Sequence, residues 1–338
     1  MKTKKIYLYT EVKGDKSAWT KAKVDVARIL EKQGYHALYL PRMKSPGQVL
    51  GFWKSLAAVT TRGSHIVIEF PCYPRLRLWA VTAFAFFMRV KVFAVIHDIN
   101  DLRLESTSKK YDMHFLKHFD GLVSHNFSMT AWLRQNGYKK PIVDLEVFDY
   151  CLDNGTDFNE AGLNGKLKIL YAGNLMYTKA TYIYDSKLDN INKAEFYVYG
   201  QNFEKERING SKIIYEGAFN PNTPELRGRY HFGLIWEGSS TETCSGEFGR
   251  YIRFNNPHKF SLYISLGLPV IVWEEAAIAS FVKDHNIGLT IRSLSDLDTI
   301  GERVTNEQYQ EFIKNLKQLS PKVRNGYFLD KAVSKLVN

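Results

Sequence analysis

Short apolar runs alternate with helix-length amphipathic runs along almost the whole chain, and few folds accommodate that rhythm. Residues 4–10 read as a strand, and Ser17 to Gln33 as an amphipathic helix ended by Gly34. Strands follow near 36–40, 65–70, 91–96, 120–124 and 141–146, with helices near 46–61, 75–88, 107–118 and 127–136 between them. Strands separated by helices pair in parallel and carry helices on both faces, so the class is α/β with a doubly wound sheet.

The rhythm breaks once, at DNGTDFNEAGLNG (residues 153–165), whose Gly, Asn and Asp content marks a linker. It then restarts, with strands near 167–172, 194–199, 212–216, 232–236, 269–273 and 288–291 and helices near 257–266 and 275–285. Residues 305–318 and 325–336 read as terminal helices. A chain of 338 residues is long for one core. The expected organisation is a domain over 1–152, a linker over 153–165, a second domain over 166–304 and C-terminal helices over 305–338. Two such sheets are expected to face a central cleft, with functional residues just after strands.

Lys and Arg number 46 against 35 Asp and Glu, a net charge of +11, which calls for an anionic partner such as a nucleotide or an acidic membrane surface. The charges are dispersed and no recognition motif appears, so nucleic acid is not expected. Three cysteines (Cys72, Cys151, Cys244) without CxxC spacing suggest a reduced, cytoplasmic protein with no structural zinc. The N-terminus lacks a signal-peptide core. The longest apolar run, residues 78–88, is too short to span a bilayer. Its flanking Arg75, Arg77, Arg89 and Lys91 leave open contact with the inner face of the membrane, but a helix packed on a sheet is the preferred explanation.

The stretch from Cys244 to Val282 reads as loop, helix, buried strand and helix. Asn255-Asn256-Pro257 resembles a helix start, Asn as N-cap and Pro at the first helical position. Lys259 then falls in the first turn, where its ammonium and the unpaired amides suit a phosphate. Gly246 and Gly249 would let backbone approach a ligand. Gly173-Asn174 and Gly200-Gln201-Asn202 each follow a strand, as nucleotide-binding turns do. No complete G-x-G-x-x-G or Walker A motif is present, which disfavours a dinucleotide cofactor and ATP-type phosphoryl transfer. In the first domain, His97 and Asp98 follow the 91–96 strand, with Asp101 and Arg103 beyond them. Acid–base work and a structural turn explain that cluster equally well. Glu11 and Ser17 lie after strand one on the same edge, and His125 follows another strand.

The runs NNPHKFSLYISLGLPVIVW, CSGEFGRY, HDINDLR and SHNFSMTAWLRQNGY resemble the bacterial galactofuranosyltransferase and glucosyltransferase group, which includes the third glucosyltransferase of streptococcal adhesin glycosylation. The similarity covers nearly the whole chain and is most specific over residues 255–273. It implies the GT-B fold: two Rossmann-like domains, the donor nucleotide held mainly by the second and the acceptor by the first. It also implies a UDP-sugar donor, no bound metal, inversion and a homo-oligomer. By that resemblance Lys259 meets the donor diphosphate, Asn255, Asn256 and His258 line the same turn, and Gly173-Asn174 is the turn after the donor domain's first strand. One departure stands out: where the streptococcal enzymes carry an arginine shortly after Gly-Asn, this chain has Leu175-Met176-Tyr177, and Lys179 is the nearest cation that could replace it.

The resulting expectation is a hexosyltransferase, with galactofuranose the first choice, moving sugar from UDP to a hydroxyl of a growing glycan, free or lipid-linked. UDP-glucosyl or galactopyranosyl transfer, a nucleotide-sugar epimerase and a non-catalytic nucleotide-sugar or glycan binder are the alternatives. Asp98 is the first candidate base, His97 the second and Glu11 the third; Ser17, Asp101, Arg103 and His125 are placed on the acceptor side. No cofactor and no metal are expected.

Overall fold

The computed structural model describes residues 4–10, 18–104, 111–152, 162–163, 165–208, 210 and 212–338. The chain divides into two compact units. The first ends at Glu146 and regains Gly326–Asn338; the second runs from Val147 to Asn325 and takes in a short stretch ending at Lys21.

In the first unit, β1 (Lys5–Tyr9), β2 (His36–Tyr39), β3 (His65–Phe70), β4 (Lys91–Ile96), β5 (Gly121–Ser124) and β6 (Ile142–Asp144) form one wholly parallel sheet in the order 2-1-3-4-5-6. Helices α1 (Ala18–Lys32), α2 (Pro46–Val59), α3 (Leu76–Met88), α5 (Tyr111–Leu116) and α6 (Phe127–Gln135) alternate with the strands, and a single turn, α4 (Asn100–Arg103), follows β4. β3 and β4 are buried along nearly their whole length because parallel strands are covered on both faces. Gly34 closes α1 at φ 80°, its N–H and that of Tyr35 returning to the carbonyls of Glu31 and Leu30.

The second unit repeats the plan. β7 (Leu167–Ala172), β8 (Ala194–Tyr199), β9 (Ile213–Tyr215), β10 (Phe232–Ile235), β11 (Val270–Trp273) and β12 (Gly288–Ile291) are parallel in the order 12-11-10-7-8-9. Around them lie α7 (Gly246–Tyr251), α8 (His258–Ser265), α9 (Ala279–His285), α10 (Ile300–Arg303) and α11 (Asn306–Asn325). Between β7 and β8 the chain forms 3₁₀ turns, Thr181–Tyr184 and Ser186–Asn190, in which Tyr182, Ile183 and Tyr184 are buried as core. Both units are therefore Rossmann-like, and the α/β, doubly wound class expected from the rhythm is the one observed.

Several boundaries differ from the sequence reading. α11 does not stop near 318 but continues through Pro321, because Leu316, Leu319, Ser320 and Val323 are buried along one face and tertiary packing outweighs the hydrogen bond proline cannot make. The last helix, α12 (Tyr327–Val337), belongs to the first unit, so the two terminal helices are not one piece. Leu336 reaches Gly121 at the start of β5, where a Cβ would stand 2.8 Å from its Cδ1. Most of the 153–165 linker lies outside the described residues.

Leu336→Ala is expected to cost about 2–4 kcal/mol of the first unit's stability, the usual range for a truncated core leucine. Hydrogen exchange should show faster amides in β5 and β6 and unchanged amides in β7 to β12; uniform change in both units would contradict this placement of α12.

Candidate functional site

In an open parallel sheet the strand order reverses at one point, and the loops there diverge to leave room for a ligand. In the second unit that point lies between β7 and β10, in the first between β1 and β3. The chemistry-bearing side chains gather at these two places.

At the second-unit switch, Gly173 follows β7 and its N–H donates to Tyr199 O at 2.9 Å. Gly200, after β8, has φ 154°, and a Cβ there would lie 1.7 Å from Gly173 O, so the two turns touch backbone to backbone and only glycine fits. Asn174 is exposed; its Oδ1 accepts from Met176 N–H at 3.0 Å and from Asn202 Nδ2 at 3.1 Å, so this oxygen shapes the turn. Gly246 and Gly249 are helical rather than loop residues, lying in α7. A Cβ on Gly249 would meet the carbonyl carbon of Cys244 at 2.5 Å and Glu237 O at 3.1 Å, so α7 presses directly on the loop after β10.

That loop supplies Glu237, which is not among the site residues expected from sequence. Lys259 Nζ lies 2.6 Å from Glu237 Oε1 and 3.9 Å from the centre of the Tyr171 ring, with its side chain only 9% exposed. Burial pulls its pKa below the ordinary lysine value; the Glu237 carboxylate opposes that shift and Lys179 adds to it. Lys179 itself stands over the Phe248 ring at 5.1 Å. α8 begins one residue later than expected: Pro257 is the cap position, at ψ 132°, and no side chain caps the helix. Asn256 is buried, and Asn255 Oδ1 is buried without a hydrogen-bond partner. The His258 ring packs against Tyr150 and Phe148, at 5.0 and 5.9 Å. Lys259 with its Glu237 partner, the start of α8 without a side-chain cap and nearby Lys179 are thus brought together at the sheet's switch point, the groups from which an anion site could be assembled. The signal for Glu237 was in the sequence: a carboxylate directly after the apolar run ending in Trp236.

In the first unit, Glu69 of β3 is buried and accepts from the hydroxyl of Tyr7 of β1, across the switch. His97 Nε2 lies 2.7 Å from the other oxygen of Glu69. His97 therefore carries a carboxylate partner, while Asp98, the first candidate base, is paired with Arg103 at 3.0 Å. Arg103 also donates to Asn100 Oδ1 at 2.8 Å, so these three hold the turn after β4 together. Asp101 accepts from Met113 N–H at 3.0 Å and anchors the start of α5. His125 is 1% exposed, with Nε2 3.1 Å from Ile96 O; it is enclosed rather than on a surface that meets an acceptor. Burial, reinforced by the neighbouring His97, pushes its pKa down to about 3. Glu11 and Ser17 lie outside the described residues. Among the described residues no group of three or more His, Cys, Asp and Glu side chains is disposed to hold a metal ion.

Two Rossmann-like units of this kind make up the GT-B fold, which glycosyltransferases use. Family models agree: residues 5–147 match the glucosyltransferase 3-like N-terminal domain and residues 169–336 the glucosyltransferase 3-like C-terminal domain. The chain belongs to the glucosyltransferase 3-like family. It is 37% identical over 247 residues to the β-1,6-galactofuranosyltransferase WbbI of Escherichia coli K12, covering 72% of this chain and 70% of the relative. Glucosyltransferase 3 of Streptococcus gordonii is 29% identical over 101 residues, covering 30% of this chain and 29% of that protein. Among solved structures, Anabaena HepE in complex with UDP and glucose matches the fold at TM-score 0.62 and 14% identity, covering 99% of each chain. The lipopolysaccharide outer core galactosyltransferase WaaB in its apo form matches at TM-score 0.62 and 12% identity, covering 98% of this chain and 99% of that one.

A histidine whose pKa is about 3 when folded and 6.5 when unfolded binds fewer protons in the native state across that interval. Stability is therefore expected to fall as pH drops below 6.5, by at most about 1.4 kcal/mol per pH unit from this residue. Urea midpoints measured from pH 7 to 4 should show a shallower acid decline in His125→Gln; parallel declines would contradict the assignment.

Proposed function

We propose that the chain transfers a hexosyl unit, galactofuranose before glucose or galactopyranose, from a UDP-sugar to a hydroxyl of a growing bacterial glycan. The donor diphosphate is held at the start of α8 by Lys259 and the helix amides, with Lys179 as the second cation and Gly173 and Gly200 at the turns beside it. The observation that carries this reading is Lys259, a lysine almost withdrawn from water at the switch point of the second sheet. Galactofuranose is preferred because of the 37% identity to a protein named as a galactofuranosyltransferase. The choice of UDP is supported by the UDP complex of the similarly folded HepE.

The reaction is a single displacement. An acceptor oxygen attacks the anomeric carbon, the bond from that carbon to the β-phosphate oxygen breaks, and its electron pair leaves with UDP. The configuration at the anomeric carbon inverts. Lys259 and the helix amides stabilise the leaving diphosphate electrostatically, without a divalent metal. The acceptor proton passes to His97, which the geometry favours over Asp98. A histidine held by a carboxylate is oriented and stabilised when it becomes charged, whereas the Asp98 carboxylate is committed to Arg103.

The test is UDP release from a panel of UDP-sugars, with and without mixed glycan acceptors and with a chelator present. UDP-galactofuranose should give acceptor-dependent release that survives chelation and falls about 100-fold or more in Lys259→Ala, as for removal of one donor from a transition-state anion site. UDP binding with no turnover of any donor would identify a binding protein, and sugar conversion without UDP release an epimerase. Either result would overturn the proposal.

A further inference from the structure

The helix α3 resolves the apolar run at residues 78–88 into two faces. Leu78, Val81, Phe84 and Ala85 are buried against the sheet, as a packed helix requires. The opposite side leaves Phe86 79% and Phe87 69% exposed, and Leu50 of the neighbouring helix α2 57% exposed. These are not scattered residues. The Phe86 and Phe87 rings are 5.6 Å apart, Phe87 is 6.1 Å from Trp53, and Trp53 lies one turn beyond Leu50 in α2. The indole Nε1 of Trp53 donates to Ala80 O at 2.8 Å, which ties the two helices together and leaves the face between them without a polar demand. Contiguous exposed aromatics of this kind mark a surface that meets something apolar.

The charge of the segment that carries this face selects the partner. From residue 33 to residue 97 the sequence holds eight Lys and Arg and a single carboxylate, Glu69. Glu69 is buried on the sheet, so this segment offers no Asp or Glu to solvent. The chain as a whole carries 46 basic against 35 acidic residues, so the segment is far more one-sided than the rest. Two of the eight are turned inward and do not serve the rim expected from the sequence: Arg75 pairs with Asp112 at 3.0 Å, and Arg77 donates to Pro41 O and Tyr73 O at 2.9 and 2.6 Å. The other six (Arg42, Lys44, Lys54, Arg62, Arg89 and Lys91) are exposed. Lys54 directly follows Trp53, and Arg89 caps the end of α3 in the left-handed conformation, φ 54°.

We propose that this face of the first unit docks on an anionic phospholipid bilayer. Phe86, Phe87 and Leu50 enter the headgroup boundary, and Lys54, Arg89 and the neighbouring cations meet lipid phosphates. An apolar patch with Lys and Arg around it is the usual composition of an interfacial membrane contact. A second copy of the chain fits less well. A symmetric dimer through this patch would bring its cationic surroundings against themselves with no exposed carboxylate from the same segment to offset them. Among the described residues no helix is long and apolar enough to cross a membrane, so the contact is peripheral.

Co-sedimentation of the full chain with phosphatidylcholine vesicles, and with vesicles containing equal phosphatidylglycerol, tests the proposal without relying on catalysis. Wild type should pellet with the anionic vesicles and not with the neutral ones. Binding should fall about tenfold in Phe86→Ser/Phe87→Ser and in Lys54→Gln/Arg89→Gln, and about 0.5 M salt should release it. These side chains are exposed, so the variants should melt with wild type, which separates lost docking from lost folding. Failure to bind anionic vesicles, or equal binding by wild type and both variants, would overturn the proposal. So would a wild-type dimer in sedimentation equilibrium that Phe86→Ser/Phe87→Ser dissolves while vesicle binding is absent in both.

Discussion

A lysine ammonium pressed over an aromatic ring and almost removed from water is costly unless a carboxylate answers it, and the second unit is built to supply that answer. Glu237 stands 2.6 Å from Lys259 because β10 delivers it to the switch point beside β7. The Tyr171 ring beneath Lys259 belongs to β7 itself. Small changes in any of these elements would leave a charge buried and unpaired, which costs far more than the pair gains. The glycines nearby follow from the same constraint. Gly249 lets α7 lie against the carbonyl of Glu237, and Gly200 lets the two turns meet over Gly173.

The first unit uses the equivalent position differently. Its switch point is bridged by a neutral donor, Tyr7, on a buried carboxylate, Glu69, which also holds His97. One sheet thus carries a buried lysine–glutamate pair at its switch point and the other a buried tyrosine–glutamate–histidine cluster.

Much of the fold was legible because strand and helix periods differ and because glycine and the 153–165 break punctuate them. Every strand of both sheets falls within a few residues of its expected place, and the start of α8 is misplaced by one position only, since Pro257 serves as the cap instead of the first helical residue. α7 is not legible in the sequence because two glycines in six residues argue against a helix; packing on the Glu237 loop overrides that propensity. The short turn α4 and the passage of α11 through Pro321 are likewise decided by tertiary contacts. At the sites, Lys259 and His97 could be singled out from their position after helix starts and strands. Their partners Glu237 and Glu69 could not be matched to them, because the pairings join residues 22 and 28 positions apart and depend on which strands become neighbours. The enclosure of His125, expected on the acceptor side, is hidden for the same reason: nothing local reveals that its Nε2 would lie 3.1 Å from the carbonyl of Ile96.

Glu237 opposes the loss of charge that burial imposes on Lys259, and the most direct measurement of its part in donor binding is UDP affinity by calorimetry from pH 7 to 9.5 for wild type and Glu237→Gln. Burial lowers the pKa of Lys259 and Glu237 opposes that, so removing the carboxylate lowers it further. Binding by the variant should therefore begin to weaken at a lower pH than binding by wild type, approaching about tenfold per pH unit once the lysine is neutral. Superimposable pH profiles for the two proteins, or full UDP affinity in Lys259→Met, would contradict it.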